Sequence, residues 1–134
     1  MSAMDAAIGR TVSRVFVAPG EHTLYLDTEE GVLAFAAVGD CCSQTWFADI
    51  TGVDALIGAR VVAADDLEME PVDDNRGRSE VDQFYGVQLT TPRGRVVIAY
   101  RNSSNGYYGG WMEAGRPIEA IPADAREITD DWSA

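Results

Sequence analysis

The chain has 134 residues and a formal net charge of −12, from 22 acidic and 10 basic residues, and every basic residue is an arginine. This length fits one domain that buries an ordinary core, and no apolar run reaches the ~18–20 residues of a membrane span. The negative charge disfavours direct binding to nucleic acid or to an anionic membrane, because both require clustered basic side chains. We therefore expect a single globular domain over residues 1–134, with a few flexible residues at each end.

The cysteines and the start of the chain indicate the compartment. Residues 1–10 have no basic stretch followed by an apolar block, so they do not predict a secretory signal. The two cysteines, Cys41 and Cys42, are sequence neighbours, and neighbours rarely reach the Cα separation of ~5.5 Å that a disulfide needs. A reduced, cytoplasmic setting is therefore expected.

The first third of the chain predicts a short helix and three strands. The helix is expected to end at Gly9. Residues 11–18 alternate polar and apolar side chains, as a half-buried strand does, and Pro19-Gly20 predicts a turn. Residues 22–28 and 32–38 predict a hairpin whose second arm is apolar on both faces, which is typical of a central strand.

The middle of the chain is less regular. Residues 39–50 break the alternation and predict an irregular segment. Thr51 is expected to cap a helix of one or two turns that Gly58 ends. Residues 60–64 predict a strand, and the acidic residues 65–82, which include Pro and Gly, predict a strand end and an exposed loop.

The clearest predicted element is a long hairpin. Its arms are residues 84–91 and 95–101, and its turn is Pro92-Arg93-Gly94. A glycine-rich loop over residues 102–110 and a short returning strand follow, and Trp132 is expected to dock on the core. Strands joined by tight turns predict an α+β fold, mostly an antiparallel β-sheet of hairpins with one or two short helices.

Residues 39–46 form the first of two segments with chemically versatile side chains. They join a carboxylate, two thiols, a hydroxyl and an aromatic ring directly after a buried strand. The candidate ligand-binding residues here are Asp40, Cys41, Cys42, Ser43 and Trp46. The register of the first hairpin can bring His22, the one histidine, to the thiols, as a thiol-dependent enzyme would require. Cysteine often only packs, so a structural role for at least one thiol stays open.

Residues 100–111 form the second segment. They combine amides, hydroxyls, an arginine, aromatic rings and glycines, the mixture that antibody loops use to bind ligands. The candidate ligand-binding residues are Arg101, Asn102, Ser103, Asn105, Tyr107, Tyr108 and Trp111. The alternative is a tight Asn105-Gly106 turn with packed tyrosines.

Residue counts remove most familiar enzyme and metal classes. Two cysteines and one histidine cannot supply the four ligands of a structural zinc site. The acidic residues of 65–82 lack the spacing of a calcium-binding EF-hand loop. The absence of lysine excludes Schiff-base chemistry, and no phosphate-binding glycine motif occurs. We therefore predict no cofactor, no metal and no catalytic residue, and enzymatic activity stays an open alternative.

Two strings of the sequence are distinctive: GDCCS at residues 39–43, followed by Trp46, and YRNSSNGYYGG at residues 100–110. With Tyr85-Gly86-Val87, they make the chain resemble a family of small uncharacterised proteins of bacteriophages and bacteria. The resemblance extends over most of the chain. It implies an accessory protein of a phage or mobile element, acting in the cytoplasm of the host cell, and it carries no catalytic role with it.

We therefore expect a non-catalytic accessory protein in which the two segments meet at one end of the sheet. There they would form a pocket or patch for a host component or a small, nucleotide-like signal molecule. Two alternatives stay open: an acidic interaction protein that mimics a polyanion, and an enzyme built on Cys41 or Cys42 with His22. The expected partner is a small molecule or a host protein, with neither nucleic acid nor membrane bound directly. Homo-oligomerisation is left open, since small sheets often pair their edges.

Overall fold

The computed structural model describes residues 2–39, 44–68, 72–73, 81–104, 110–130 and 132. Within these residues, the chain forms two antiparallel sheets that pack against each other, with very little helix, which confirms the predicted fold class. The first sheet contains β1 (Val12–Val17), β2 (Thr23–Thr28), β3 (Gly31–Gly39), β9 (Gly110–Met112), β10 (Arg116–Ile118) and β11 (Arg126–Glu127). The second contains β4 (Gln44–Thr51), β5 (Ala63–Glu68), β6 (Val72–Asp73), β7 (Val81–Thr91) and β8 (Gly94–Ser104).

The first sheet has the strand order β10-β3-β2-β1-β11, and β9 pairs with β3 beside β10. The predicted hairpin is confirmed as β2 and β3, with Tyr25 opposite Ala34. Both faces of β3 are covered, as expected for a central strand. Leu33 faces the second sheet, whereas Val32 and Ala34 pack under the C-terminal segment, which contributes Ile118, Ile121 and Ala125.

The second sheet has the order β4-β8-β7-β5, and β6 pairs with β7. The long predicted hairpin is confirmed as β7 and β8. The prediction of an irregular segment up to residue 50 is wrong, because residues 44–51 form strand β4. A bulge at Ala48 interrupts this strand: Phe47 lies opposite Tyr100, but Asp49 lies opposite the next residue, Ala99.

The core fills the space between the sheets with the apolar side chains of both inner faces. Its members include Val15, Val17, Leu24, Leu26, Leu33 and Phe35 from the first sheet and Phe47, Ile50, Val87, Leu89, Val96 and Ile98 from the second. Burying each such side chain stabilises the fold by roughly 1.5–3 kcal/mol. Trp132 packs partly buried against the same core, which confirms its predicted docking.

The short helical elements differ from their predicted form. The N-terminal helix is a 3-10 turn over Asp5–Ala7. Helix α1 spans Val53–Leu56, and Gly52 precedes it instead of the predicted cap, Thr51, which ends β4. Gly52 has φ +81°, and a Cβ there would lie 2.6 Å from the carbonyl oxygen of Arg95, so only glycine fits this position without strain.

The acidic region also differs from its prediction. The strand expected over residues 60–64 begins at residue 63, and residues 65–68 continue it as β5 instead of forming a loop. The remainder of the predicted loop lies partly in β6 and β7, and its residues 69–71 and 74–80 fall outside the described part of the chain. Among the described residues, none of the helices has the length and apolar character needed to cross a membrane.

Candidate functional site

The first hairpin carries His22 to the expected end of the sheet. The backbone N–H of Ala37 donates to the carbonyl oxygen of His22 at 2.8 Å, two residues before Gly39 ends β3. The predicted register of His22 is therefore confirmed. The thiols and their neighbours, residues 40–43, lie outside the described residues, so the Cys–His pair stays a hypothesis.

Strands β4 and β8 bring parts of the two predicted segments side by side. Trp46 lies directly opposite Arg101, and Gln44 lies opposite Ser103. Residues opposite each other share a face of the sheet. The guanidinium carbon of Arg101 lies 5.5 Å from the centroid of the Trp46 ring, which is a cation–π contact. Trp46, Arg101 and Ser103 therefore share one surface.

Two other predicted site residues that the structure describes do not join this surface. Asn102 is fully buried, because the alternation of β8 turns it toward the interior, where its Nδ2 donates to Thr45 Oγ1 at 2.9 Å. The expectation that Asn102 and Arg101 face a ligand together is therefore wrong, because neighbouring residues of a strand point to opposite faces of the sheet. Trp111 lies on β9 in the other sheet, opposite Val38, and is 46% exposed. Asn105, Tyr107 and Tyr108 lie outside the described residues.

A cleft of about 470 Å³ lies between the turn before β2 and the start of β4. Its volume falls within the ~300–1,000 Å³ of pockets that hold small molecules. The cleft is lined by Gly20, Glu21, His22, Gln44, Thr45 and Trp46. Of these residues, only Trp46 was predicted from the sequence to bind a ligand. His22 was predicted only as a possible partner of the thiols. The signal that was available is the Pro19-Gly20 turn directly before the one histidine.

The turn that forms one wall of the cleft has an unusual backbone. Gly20 has φ +79° and Glu21 has φ +57°, so a glutamate occupies a left-handed conformation that typically costs a non-glycine residue about 1–2 kcal/mol. The backbone N–H of Glu21 donates to the carbonyl oxygen of Ala18 at 2.9 Å. The Glu21 carboxylate lies 3.8 Å from Nη2 of Arg126. These contacts stabilise the turn that presents His22.

The C-terminal segment supplies that arginine and fixes it in turn. Arg126 donates to the carbonyl oxygen of Trp132 at 2.5 Å, and its guanidinium carbon lies 5.6 Å from the centroid of the Trp132 ring. The segment is anchored to β1 because the N–H of Ile128 donates to the carbonyl oxygen of Val15 at 2.8 Å. The C-terminal segment therefore supports the turn beside the cleft, and none of its described residues lines the cleft.

An aromatic cluster lies on the inner face of the second sheet. Tyr85 stacks on Tyr100 with ring centroids 5.1 Å apart, and Phe47 lies 6.1 Å from Tyr100 in a tilted arrangement. The pKa of Tyr100 is raised to about 12, mainly by burial and also by the nearby Asp66 and Tyr85, whereas a backbone hydrogen bond with Met112 lowers it. Tyr100 is thus a neutral packing residue at physiological pH. Among the described residues, no three His, Cys, Asp or Glu side chains are grouped as metal ligands.

Most of the chain is similar to known protein sequences. The model of a domain of unknown function (DUF7448) matches residues 5–113. The chain is also 29% identical over 98 residues to uncharacterized protein L278 of Acanthamoeba polyphaga mimivirus, across 69% of this chain and 75% of that protein. No solved structure matches the chain. The six described residues that line the cleft lie within the matched range, whereas Arg126 and Trp132 lie beyond it.

Proposed function

The chain belongs to the DUF7448 family, and we propose that it is a viral or mobile-element accessory protein that binds a small, flat, nucleotide-like molecule in the cleft beside Trp46. The observation that carries the proposal is the chemistry of the cleft, which combines two flat rings with polar groups that can read the edge of a ligand. The similarity to a mimivirus protein supports the viral setting.

The two rings of the cleft suit a planar ligand. The indole of Trp46 lies on β4, whereas the imidazole of His22 directly precedes β2 of the other sheet, and both residues line the cleft. Stacking of a nucleobase on an aromatic side chain typically contributes ~1–3 kcal/mol. Gln44 and Thr45 precede Trp46 in the chain and also line the cleft. Their amide and hydroxyl groups can form hydrogen bonds. This arrangement favours a heteroaromatic ring over an aliphatic ligand.

The charges around the cleft suit a ligand with a small negative charge. Arg101 lies against Trp46 and supplies a cation beside the ring. The carboxylate of Glu21 lies within ion-pair distance of Arg126, which offsets its charge. The net charge of −12 opposes a long polyanion. A single nucleotide therefore fits the electrostatics better than a nucleic acid strand does.

The two alternatives from the sequence stay open. The cysteines that an enzyme would need lie outside the described residues. Asp65 and Asp66 are exposed on β5, the outer strand of the described second sheet, and remain a candidate surface for a basic partner. Binding in the cleft needs neither of these features and assigns no reaction to the protein.

Tryptophan fluorescence tests this proposal, because the chain has three tryptophans and one of them lines the cleft. The double variant Trp111→Phe/Trp132→Phe, hereafter the Trp46-only protein, is titrated with AMP, GMP, CMP and UMP. We expect saturable quenching by at least one nucleotide, with a dissociation constant below ~1 mM.

The matched control is Trp46→Phe/Trp132→Phe, which keeps only the exposed Trp111 and reports non-specific quenching. Equal quenching of the two proteins, or no saturable change of the Trp46-only protein with any of the four nucleotides, would contradict the proposal.

A further inference from the structure

A buried hydrogen bond connects the cleft to the interior of the protein. Thr45 lines the cleft and lies directly opposite Asn102 in the neighbouring strand. Asn102 has no exposed surface, and its Nδ2 donates to Thr45 Oγ1 at 2.9 Å. A fully buried amide therefore contacts a residue that a ligand in the cleft can reach.

The hydrogen bond with Asn102 leaves the Thr45 hydroxyl with a hydrogen that it can donate. A hydroxyl carries one hydrogen to donate and two lone pairs that accept. Because Thr45 Oγ1 accepts from Asn102, its own hydrogen remains available to another acceptor. No further hydrogen bond of the Thr45 side chain occurs among the residues that the structure describes. Within the described part of the chain the hydroxyl hydrogen therefore has no acceptor, and Thr45 is one of the residues that line the cleft.

Stability alone does not explain the amide at position 102. The side-chain oxygen of Asn102 is buried and accepts no hydrogen bond within the described part of the chain. An unsatisfied buried acceptor lowers the free energy of unfolding, whereas an apolar pair of similar shape can be neutral or stabilising. Asn102 contacts a residue that lines the cleft, and residues that lower stability are often found at functional sites. A role in binding therefore explains this amide better than a role in stability does.

Close packing limits how far this pair can move. A Cβ atom at Gly110 would collide with Thr45 Oγ1 and lie 2.8 Å from Asn102 Nδ2. The glycine therefore lets the backbone of β9 lie directly against both side chains. With β9 on one side and the β4–β8 pairing on the other, the two groups are confined to a narrow range of positions.

We propose that Asn102 is a positioning residue that fixes the Thr45 hydroxyl as a hydrogen-bond donor in the cleft. The cleft then selects flat ligands that present an acceptor to Thr45, such as a ring nitrogen or a carbonyl oxygen of a nucleobase. This inference rests on the proposed function and names the atom of the cleft that selects among ligands.

Three variants and one conservative control test the inference with the same four mononucleotides in the Trp46-only background. Thr45→Val removes the donor at nearly constant volume, Asn102→Leu removes the positioning amide, and the double variant removes both. For the nucleotide that binds best, we expect each single variant to lose about tenfold in affinity, the worth of one hydrogen bond. The double variant is expected to lose little more, because the two residues act through one contact. Thr45→Ser keeps the hydroxyl and is expected to keep the affinity.

Urea unfolding separates this role from a structural one. We expect the double variant to unfold at the same urea concentration as the parent protein or at a higher one, while its affinity falls. Unchanged affinity in folded Asn102→Leu or Thr45→Val would overturn the inference and leave the proposed function standing. A parent protein that binds none of the four nucleotides would overturn the proposed function, and this inference with it.

Discussion

Replacing Trp46 by alanine is expected to weaken mononucleotide binding by about 5- to 150-fold, the range that corresponds to the ~1–3 kcal/mol of one base stacked on an aromatic ring. The substitution also removes the ring against which Arg101 lies, so the cation beside the ligand loses its support. Trp46→Phe retains a smaller ring and is expected to lose less. Isothermal titration calorimetry measures the affinities, because the fluorescent reporter is absent from these variants.

The matched control for this substitution is Trp111→Ala. Trp111 is 46% exposed and lies on β9, outside the set of residues that line the cleft. We expect this variant to bind as the wild type does. A folded Trp46→Ala protein with wild-type affinity would contradict the assignment, and so would an equal loss of affinity in Trp111→Ala.

Raising the pH from 10 to 12 is expected to lower the free energy of unfolding by about 2 kcal/mol through Tyr100 alone. Burial holds the pKa of this phenol at about 12 in the folded protein, above its ordinary value of 10.0. Between these two pH values, the unfolded chain loses the proton and the folded protein keeps it, so the free energy of unfolding falls as the pH rises. The contribution is fully present below pH 10 and corresponds to ~1.4 kcal/mol per pKa unit.

Tyr100→Phe isolates this contribution, because the variant keeps the ring and its contacts with Tyr85 and Phe47. Urea unfolding of both proteins at several pH values from 8 to 12 gives the comparison. The variant is expected to be less stable than the wild type at pH 8, where it lacks the hydroxyl that hydrogen-bonds the backbone of Met112. This deficit should shrink or reverse toward pH 12. A deficit that stays constant across the series would show that burial of the phenol does not govern the pH dependence.

The sequence predicted the hairpins well because their signals are local. In β2 and β3, a short turn joins two strands that follow each other in the chain, so the turn sets the register and with it the position of His22. The hairpin of β7 and β8 was predictable for the same reason, since Pro92 and Gly94 indicate the turn. These two hairpins carry His22 and Arg101, two of the residues near the cleft.

Strand β4 escaped prediction because of its bulge. Phe47 and Ile50 are both buried although three positions separate them, which a regular strand of period two does not allow. The extra residue, Ala48, restores the inward direction of Ile50 and disrupts the alternation in the sequence. Because β4 was not predicted as a strand, the direct pairing of Trp46 with Arg101 was not predicted either.

The cleft itself could not be derived from local patterns. It lies between the turn before β2 and the start of β4, and the approach of these two elements depends on how the inner faces of the sheets pack in three dimensions. By contrast, the burial of Asn102 was available in the sequence. Val96, Ile98 and Tyr100 alternate with partly exposed or exposed residues, and extending this period by one step turns Asn102 inward.

The most direct test of the cleft as a binding site is a map of amide chemical shifts. The ¹H–¹⁵N spectrum of the wild-type protein is recorded with and without a saturating concentration of the mononucleotide that quenches Trp46 most strongly. We expect the largest shifts at the amides of residues 20–22 and 44–46 and at the indole N–H of Trp46. Shifts centred on the exposed β5 strand or on the C-terminal segment, with the cleft unchanged, would contradict a binding site in the cleft.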